Sequence, residues 1–289
     1  MIAVNRPLRI AEVLDLPLQL IRRHFRQLLP VAMIGSLAAT IPTMIPQLML
    51  IRRNALTNQE YLLVVQIMQF AMLALSILLT TLAMLATVHA IRGVLEENPI
   101  GVAEAYRRAI APSAAYLTLL VALMLVLVGC CLCCLPGVII SIYISLLAPL
   151  LVYEPPRGIN AIGRAMRLAH FNPGPELATR PIIRIALLGL IAMLVSYAAT
   201  ALITLPVSAA GGYFTFRKAL EGEIVSGMSW SLNITNLIAT LFNGLVQSFP
   251  RLYAALGMTL IFLNTRNLRE GKHLESSLET RIEQAQRDT

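Results

Sequence analysis

The longest charge-free stretch of the chain constrains its fold most. No Asp, Glu, Lys or Arg occurs in the 45 residues between Arg108 and Glu154. A Leu-Pro-Gly sequence at 135–137 divides this stretch, because proline ends a helix and glycine permits a sharp reversal. A helix crosses a bilayer core of about 30 Å with about 20 apolar residues. The stretch therefore predicts a transmembrane hairpin with spans at 114–135 and 136–153.

The composition favours a membrane protein over a soluble domain. Hydrophobic residues make up 57% of the chain and charged residues 13%, whereas soluble domains are about 45–50% apolar and about 25% charged. The net charge of +8 comes from basic residues that flank the apolar runs. Anionic lipid headgroups, rather than nucleic acid, are therefore the expected partners.

Four more apolar runs predict an all-α integral membrane protein with six spans in three hairpins. Residues 1–27 have the spacing of an interfacial amphipathic helix, residues 28–264 form the membrane domain, and residues 265–289 form a charged tail. The four additional spans are predicted at 28–51, 61–91, 182–207 and 234–263.

The basic residues are distributed unequally across the predicted membrane. Eighteen Lys and Arg residues lie on the side that carries both termini, and four lie on the other side. Because cytoplasmic loops carry the excess of positive charge, both termini are predicted to be cytoplasmic. Amphipathic helices on that side carry seven candidate contacts for anionic headgroups: Arg22, Arg23, Arg26, Arg107, Arg108, Arg164 and Arg167.

Short matches connect the predicted interfacial helices. Residues 7–13 resemble 99–105, and 97–102 resemble 154–159. One interpretation is an internal repeat of three modules, each an interfacial helix followed by a hairpin. The alternative is that any amphipathic helix before a span selects proline, a carboxylate and arginine at these places.

Arg251 lies deep within the sixth predicted span, directly after Pro250. An ionisable residue is costly inside a membrane and marks a candidate functional site. No acidic residue lies in any predicted span, so Gln247 and Asn243 are the nearest polar candidates for the same lipid or substrate site. Two interpretations remain open: Arg251 lines a polar cavity or binds a lipid phosphate, or the span breaks there and Arg251 lies near the interface.

Small residues recur at every fourth position of the fifth predicted span, at Ala192, Ser196 and Thr200. Such rows let helices approach closely, so this row is a candidate helix-packing face, either within the chain or between protomers.

Four cysteines lie together, and no catalytic motif accompanies them. Thiolates bind soft metals, but on one helix these four positions spread around the circumference, which favours packing over a metal site. The chain contains no nucleophile elbow, Walker A or dinucleotide-binding motif. No cofactor and no enzymatic activity are therefore predicted. The four are Cys130, Cys131, Cys133 and Cys134.

Three stretches resemble the membrane domain of some bacterial glycerophosphodiester phosphodiesterases and of stand-alone uncharacterised polytopic membrane proteins. They are RPLRIAEVLD at 6–15, LPGV at 135–138 with LAPL at 147–150, and NTRNLREG at 264–271. The resemblance implies a bacterial inner-membrane location. In the fused family members a separate soluble barrel performs catalysis, so phosphodiesterase activity is not expected here. The family tends to have aspartate where this chain has Asn264 and Asp-Leu-Glu where it has residues 273–275.

Two functions follow as hypotheses. The first is a scaffold or accessory subunit that engages anionic lipid and another membrane protein or a second copy of the chain. The second is a transporter or lipid-handling permease with a polar site around Arg251. Whether Arg251 faces a cavity or packed protein distinguishes them.

Overall fold

The computed structural model describes residues 8–52, 59–111, 113–132, 134–154, 160–171, 180–220 and 228–287. Eleven α-helices and no β-strand occur in this part of the chain. The helices are α1 (Ile10–Arg23), α2 (Phe25–Arg52), α3 (Gln59–Leu95), α4 (Val102–Ile110), α5 (Ser113–Leu132), α6 (Cys134–Ile144), α7 (Leu147–Tyr153), α8 (Asn160–Ala169), α9 (Pro181–Leu220), α10 (Met228–Val246) and α11 (Ser248–Arg287).

Five segments within the described residues are long and apolar enough to cross a membrane. The helix pair Val102–Ile110 and Ala114–Cys130, bent by 82°, adds a sixth if the two helices form one crossing. The prediction of an all-α, multi-pass membrane protein is thereby confirmed. The five segments are Phe25–Leu48, Leu63–Leu95, Pro136–Tyr153, Pro181–Val207 and Thr235–Arg269.

Helices that follow one another in the chain pack together. α2 packs along α3, α5 along α6, and α9 along both α10 and α11. α2 also contacts α10 and α11, so the pair α2–α3 and the group of α9, α10 and α11 share one core. Leu28, Leu85 and Phe262 are fully buried there, because the apolar faces of α2, α3 and α11 meet.

A glycine allows α2, α3 and α4 to meet. A Cβ atom on Gly35 would overlap the Cβ of Ala83 and would lie 2.7 Å from the Tyr106 hydroxyl. The same hydroxyl donates a hydrogen bond of 3.0 Å to the carbonyl of Val31. Tyr106 therefore holds α4 against the place where α2 and α3 lie closest.

The short helices α1, α4 and α8 each bury one face against the bundle, with buried residues four positions apart. In the match of 7–13 with 99–105, the buried Val13 of α1 aligns with the buried Ala105 of α4. Extended along α8, the match of 97–102 with 154–159 aligns the buried alanines of α4 with positions one residue after the buried alanines of α8. The buried residues are Val13, Pro17 and Ile21 in α1, Ala105 and Ala109 in α4, and Ala161, Ala165, Leu168 and Ala169 in α8.

The reversal in the central apolar stretch differs from the prediction. α5 ends at Leu132 and α6 begins at Cys134, so the proline and glycine predicted to form the reversal lie in the first turn of α6. Proline is tolerated there because the first amide groups of a helix have no intrahelical acceptor. Gly137 instead permits a close approach, since its Cβ would lie 2.6 Å from the backbone nitrogen of Cys130.

Asn264 holds the first described residues of the chain against the bundle. Its side-chain oxygen accepts hydrogen bonds from the backbone amide of Leu8 at 3.3 Å and from the Arg184 guanidinium at 3.4 Å. Asn264 and Arg184 are both buried. One side chain therefore connects the segment before α1 with α9 and α11.

We expect Asn264→Leu to lower the free energy of unfolding by about 1–3 kcal/mol, because buried donors on Leu8 and Arg184 lose an acceptor. Asn264→Asp keeps the acceptor and places a negative charge beside Arg184, so we expect it to retain the native stability. Thermal unfolding of the three purified proteins measures both effects. An Asn264→Leu chain that unfolds at the native temperature would contradict this role.

Candidate functional site

A cavity of about 310 Å³ lies between α2, α3, α11 and the break between α6 and α7. Its polar lining residues are Ser36, Thr80, Thr87, Ser145 and Arg251. Ser36, Ser145 and Arg251 each lie close to the middle of a different candidate span, and Thr80 lies at the middle of a fourth. The cavity therefore lies halfway along the spans that surround it.

Arg251 supplies the positive charge of this cavity. Its side chain is exposed, and its Nη1 donates a hydrogen bond of 3.2 Å to the hydroxyl oxygen of Ser36. A guanidinium carries five N–H donors, so this single bond leaves donor capacity for a ligand. None of the described lining residues is acidic.

The other hydroxyl groups of the lining bond to their own chain segments. Thr80 donates to the Ser76 carbonyl at 2.8 Å, Thr87 to the Ala83 carbonyl at 2.7 Å, and Ser145 to the Ile142 carbonyl at 2.8 Å. Ser and Thr hydroxyls commonly bond back in this way within membrane helices. Arg251 is thus the charged residue among the described lining residues, and its guanidinium has donors beyond the one that bonds to Ser36.

The rest of the described wall is apolar and mostly small. An oxyanion can therefore bind at Arg251 while an attached hydrocarbon group contacts the same cavity. The apolar lining residues are Ala32, Ala83, Met84, Leu252, Ala254, Ala255 and Met258.

Two helix breaks bring Ser145 and Arg251 to the cavity. α6 ends at Ile144 before α7 begins at Leu147, and α10 ends at Val246 before α11 begins at Ser248. No interruption was predicted within span 136–153, whereas a break near Arg251 was one of the two interpretations of span 234–263. Of the two interpretations of Arg251, the structure combines parts of both: the helix breaks four residues before Arg251, and Arg251 lines a cavity.

A proline follows each interruption, whereas α2 continues through Pro30, Pro42 and Pro46 without one. Pro149 and Pro250 are each the third residue of the helix that follows a break. Proline has no amide hydrogen and clashes with the carbonyl four residues earlier, which belongs to Ser145 in one case and to Val246 in the other. Arg251 thus lies in the first turn of α11, where the helix dipole adds positive partial charge.

Gln247 and Asn243, predicted beside Arg251, hydrogen-bond to α9 instead. The side-chain amide of Gln247 donates to the Ser196 carbonyl at 3.0 Å and to the Thr200 hydroxyl at 2.7 Å. Thr200 in turn donates to the side-chain oxygen of Asn243 at 3.0 Å. The structure therefore joins these two residues to the predicted small-residue row, whose first member, Ala192, is buried.

We expect Thr200→Val and Gln247→Leu each to destabilise the protein, with a coupling energy of about 0.6 to about 1.7 kcal/mol, as between polar residues in other membrane helices. A double-mutant cycle on the free energy of unfolding measures that coupling. Thr204→Val is the control, because the Thr204 hydroxyl bonds to a carbonyl of its own helix at 2.9 Å. Additive effects of the two changes would show that the hydrogen bond between Gln247 and Thr200 does not stabilise the fold.

The seven arginines predicted to contact headgroups are all exposed. They lie on α1, the first turn of α2, α4 and α8. Glu104 pairs with Arg107 at 2.6 Å and with Arg108 at 2.8 Å, and Glu154 pairs with Arg164 at 2.7 Å. The exposed charge of α4 and α8 is thus partly neutralised by carboxylates.

The cysteine cluster is only partly described. Cys130 is a free, exposed thiol, whereas residue 133 and the side chains of Cys131 and Cys134 lie outside the described part of the structure. Across the residues that are described, no group of three His, Cys, Asp or Glu side chains could hold a metal ion.

Comparison with protein-family models, curated proteins and solved structures produced no match. The resemblance to the membrane domain of glycerophosphodiester phosphodiesterases therefore stays a prediction from the short sequence stretches alone.

The hydroxyl residues of the cavity were not predicted as site residues from the sequence. A signal for them exists, because Ser36, Thr80 and Ser145 interrupt apolar runs near the middle of their spans. Pro149 was a second signal, since a proline four residues after Ser145 predicts a helix break at that serine. Which of the many Ser and Thr residues converge depends on helix packing.

Proposed function

We propose that the chain is a non-enzymatic, six-span permease of the bacterial inner membrane that moves an anionic lipid. Its three hairpins leave both termini in the cytoplasm, and the lipid's anionic group binds Arg251. The observation that carries the proposal is the position of Arg251 in a cavity halfway along the spans. An oxyanion would compensate the cost of placing a guanidinium there, because guanidinium binds carboxylate and phosphate through paired hydrogen bonds.

Interruptions of one or two residues within two of the candidate spans support transport. Secondary transporters place their substrate sites near the bilayer midplane and build them from discontinuous helices. Here, Ser145 lies at one break, and Arg251 lies in the first turn after the other. Both residues line the cavity.

Proteoliposomes that contain fluorescent anionic lipids with either one or two acyl chains test the proposal. The native protein should accelerate the loss of fluorescence after a membrane-impermeant quencher is added, because lipid moves from the inner to the outer leaflet. Arg251→Ala should abolish this acceleration, and the control Arg269→Ala, at an exposed position of α11 away from the cavity, should retain it. Failure of the native protein to accelerate either lipid, or full activity of Arg251→Ala, would overturn the proposal.

A scaffold or accessory subunit is the second candidate, favoured by the exposed arginines of α1, α4 and α8. Such residues suit anionic headgroups of the cytoplasmic leaflet. Mass spectrometry of the protein in native-lipid nanodiscs separates the two candidates. A stoichiometric membrane-protein partner, or a stable homo-oligomer, would favour the scaffold. A lone chain with one enriched anionic lipid would favour the permease.

A further inference from the structure

We infer that the Arg251 cavity selects amphiphiles with one acyl chain and one negative charge. A fatty-acid carboxylate and a single-chain phosphodiester lipid share this chemistry. The inference rests on the proposed function and names the substrate class of the same site.

The size of the cavity limits the number of acyl chains that a ligand can place in it. Its volume of about 310 Å³ is at the lower end of ligand pockets, which span about 300–1,000 Å³. This volume takes one head and the adjoining part of one acyl chain, and because the cavity is partly open, the rest of that chain extends out of it.

The charge of the cavity limits the head. Arg251 is the charged residue among the described lining residues, and it bonds to the neutral hydroxyl of Ser36. One guanidinium neutralises one negative charge, and a second uncompensated charge in a membrane interior is costly. The head is therefore a monoanion.

The shape of the cavity wall places the acyl chain of the ligand beside α11. Ala254 and Ala255 follow Arg251 on this helix, and Met258 lies one turn further along. Alanine side chains leave a narrow space along the helix, and methionine adapts to the outline of a flexible chain. The head at Arg251 and the chain along these residues form one continuous site.

Equilibrium binding to the full-length detergent-purified protein tests the inference. The ligands are oleate, single-chain phosphatidylglycerol, two-chain phosphatidylglycerol and zwitterionic single-chain phosphatidylcholine. Either or both single-chain anions should bind at least about tenfold more tightly than the other two lipids, a difference large enough to resolve. The tighter of the two single-chain anions identifies carboxylate or phosphate as the natural head.

Substitutions that fill the part of the cavity taken by the acyl chain, and that keep Arg251, provide a second test. Ala255→Leu should weaken single-chain binding at least about tenfold, and Ala254→Leu serves as a second filling variant if the first unfolds. Ala198→Leu, at an exposed position on α9, should leave binding unchanged. Native affinity in a folded filling variant would overturn the inference.

The outcomes separate this inference from the proposed function. If two-chain phosphatidylglycerol binds as tightly as the single-chain anions and Arg251→Gln abolishes that binding, the substrate class is wrong and the proposed function stands. If none of these anions binds, or if Arg251→Gln leaves their binding unchanged, the substrate class and the proposed function are both overturned.

Discussion

Arg251→Gln is expected to weaken the binding of a monoanionic lipid by about 10- to 100-fold. A hydrogen bond to a charged group contributes about 1.5–3 kcal/mol, and each 1.4 kcal/mol corresponds to a factor of ten. Glutamine retains polarity at the cavity but has neither the charge nor the paired donors of arginine. Titration calorimetry of the purified protein with each single-chain anion measures the change.

Arg251→Lys distinguishes charge from geometry at the same position. Lysine keeps the positive charge but lacks the planar fork of donors, so we expect an affinity between those of the native protein and Arg251→Gln. Arg269→Gln is the matched control, because it removes the same charge from an exposed site on α11 that does not line the cavity. Equal losses in the Arg269 and Arg251 variants would mean that net charge, and not the cavity, determines binding.

Gly35→Ala is expected to lower the free energy of unfolding by about 1–3 kcal/mol, the usual cost of overpacking. The added Cβ would overlap that of Ala83 and press on the Tyr106 hydroxyl, so α3 and α4 must both move. Because Ala83 also lines the cavity, we expect lipid binding to weaken in the same variant. Thermal unfolding and the titration described above measure the two effects.

Gly189→Ala is the control for this prediction. No atom outside its own helix lies within 4 Å of the position that a Cβ would take on Gly189, so the new methyl group has space. Alanine favours helix over glycine by about 1 kcal/mol, and this variant should therefore be as stable as the native chain or slightly more so. If Gly189→Ala destabilised the protein as much as Gly35→Ala, the helices would not pack tightly against Gly35.

Local sequence was sufficient to predict individual elements of this protein. Apolar runs of about 20 residues specify membrane helices, because a backbone in lipid must satisfy its own hydrogen bonds. The match in which Glu12 aligns with Glu104 also aligns the buried Val13 of α1 with the buried Ala105 of α4. The corresponding match to α8 is one residue out of register with its buried alanines.

The partners of polar side chains could not be predicted in the same way. Gln247 lies one turn before Arg251 in the sequence, yet it bonds to Thr200 on α9. Arg251 bonds to Ser36, which is far away in the chain. Within an apolar span every helix face is compatible with lipid, so sequence alone does not indicate which face meets which neighbour.

The sequence by itself determined that this chain is helical, apolar over several membrane-length segments, and marked by one arginine deep within a span. The tertiary structure decided that four spans bring their middle residues around one cavity and that two of these spans are interrupted there by one or two residues. The reason is physical: the length and hydrophobicity of a segment act locally, whereas a cavity exists only between helices whose close approaches, such as the one at Gly35, fix their relative positions.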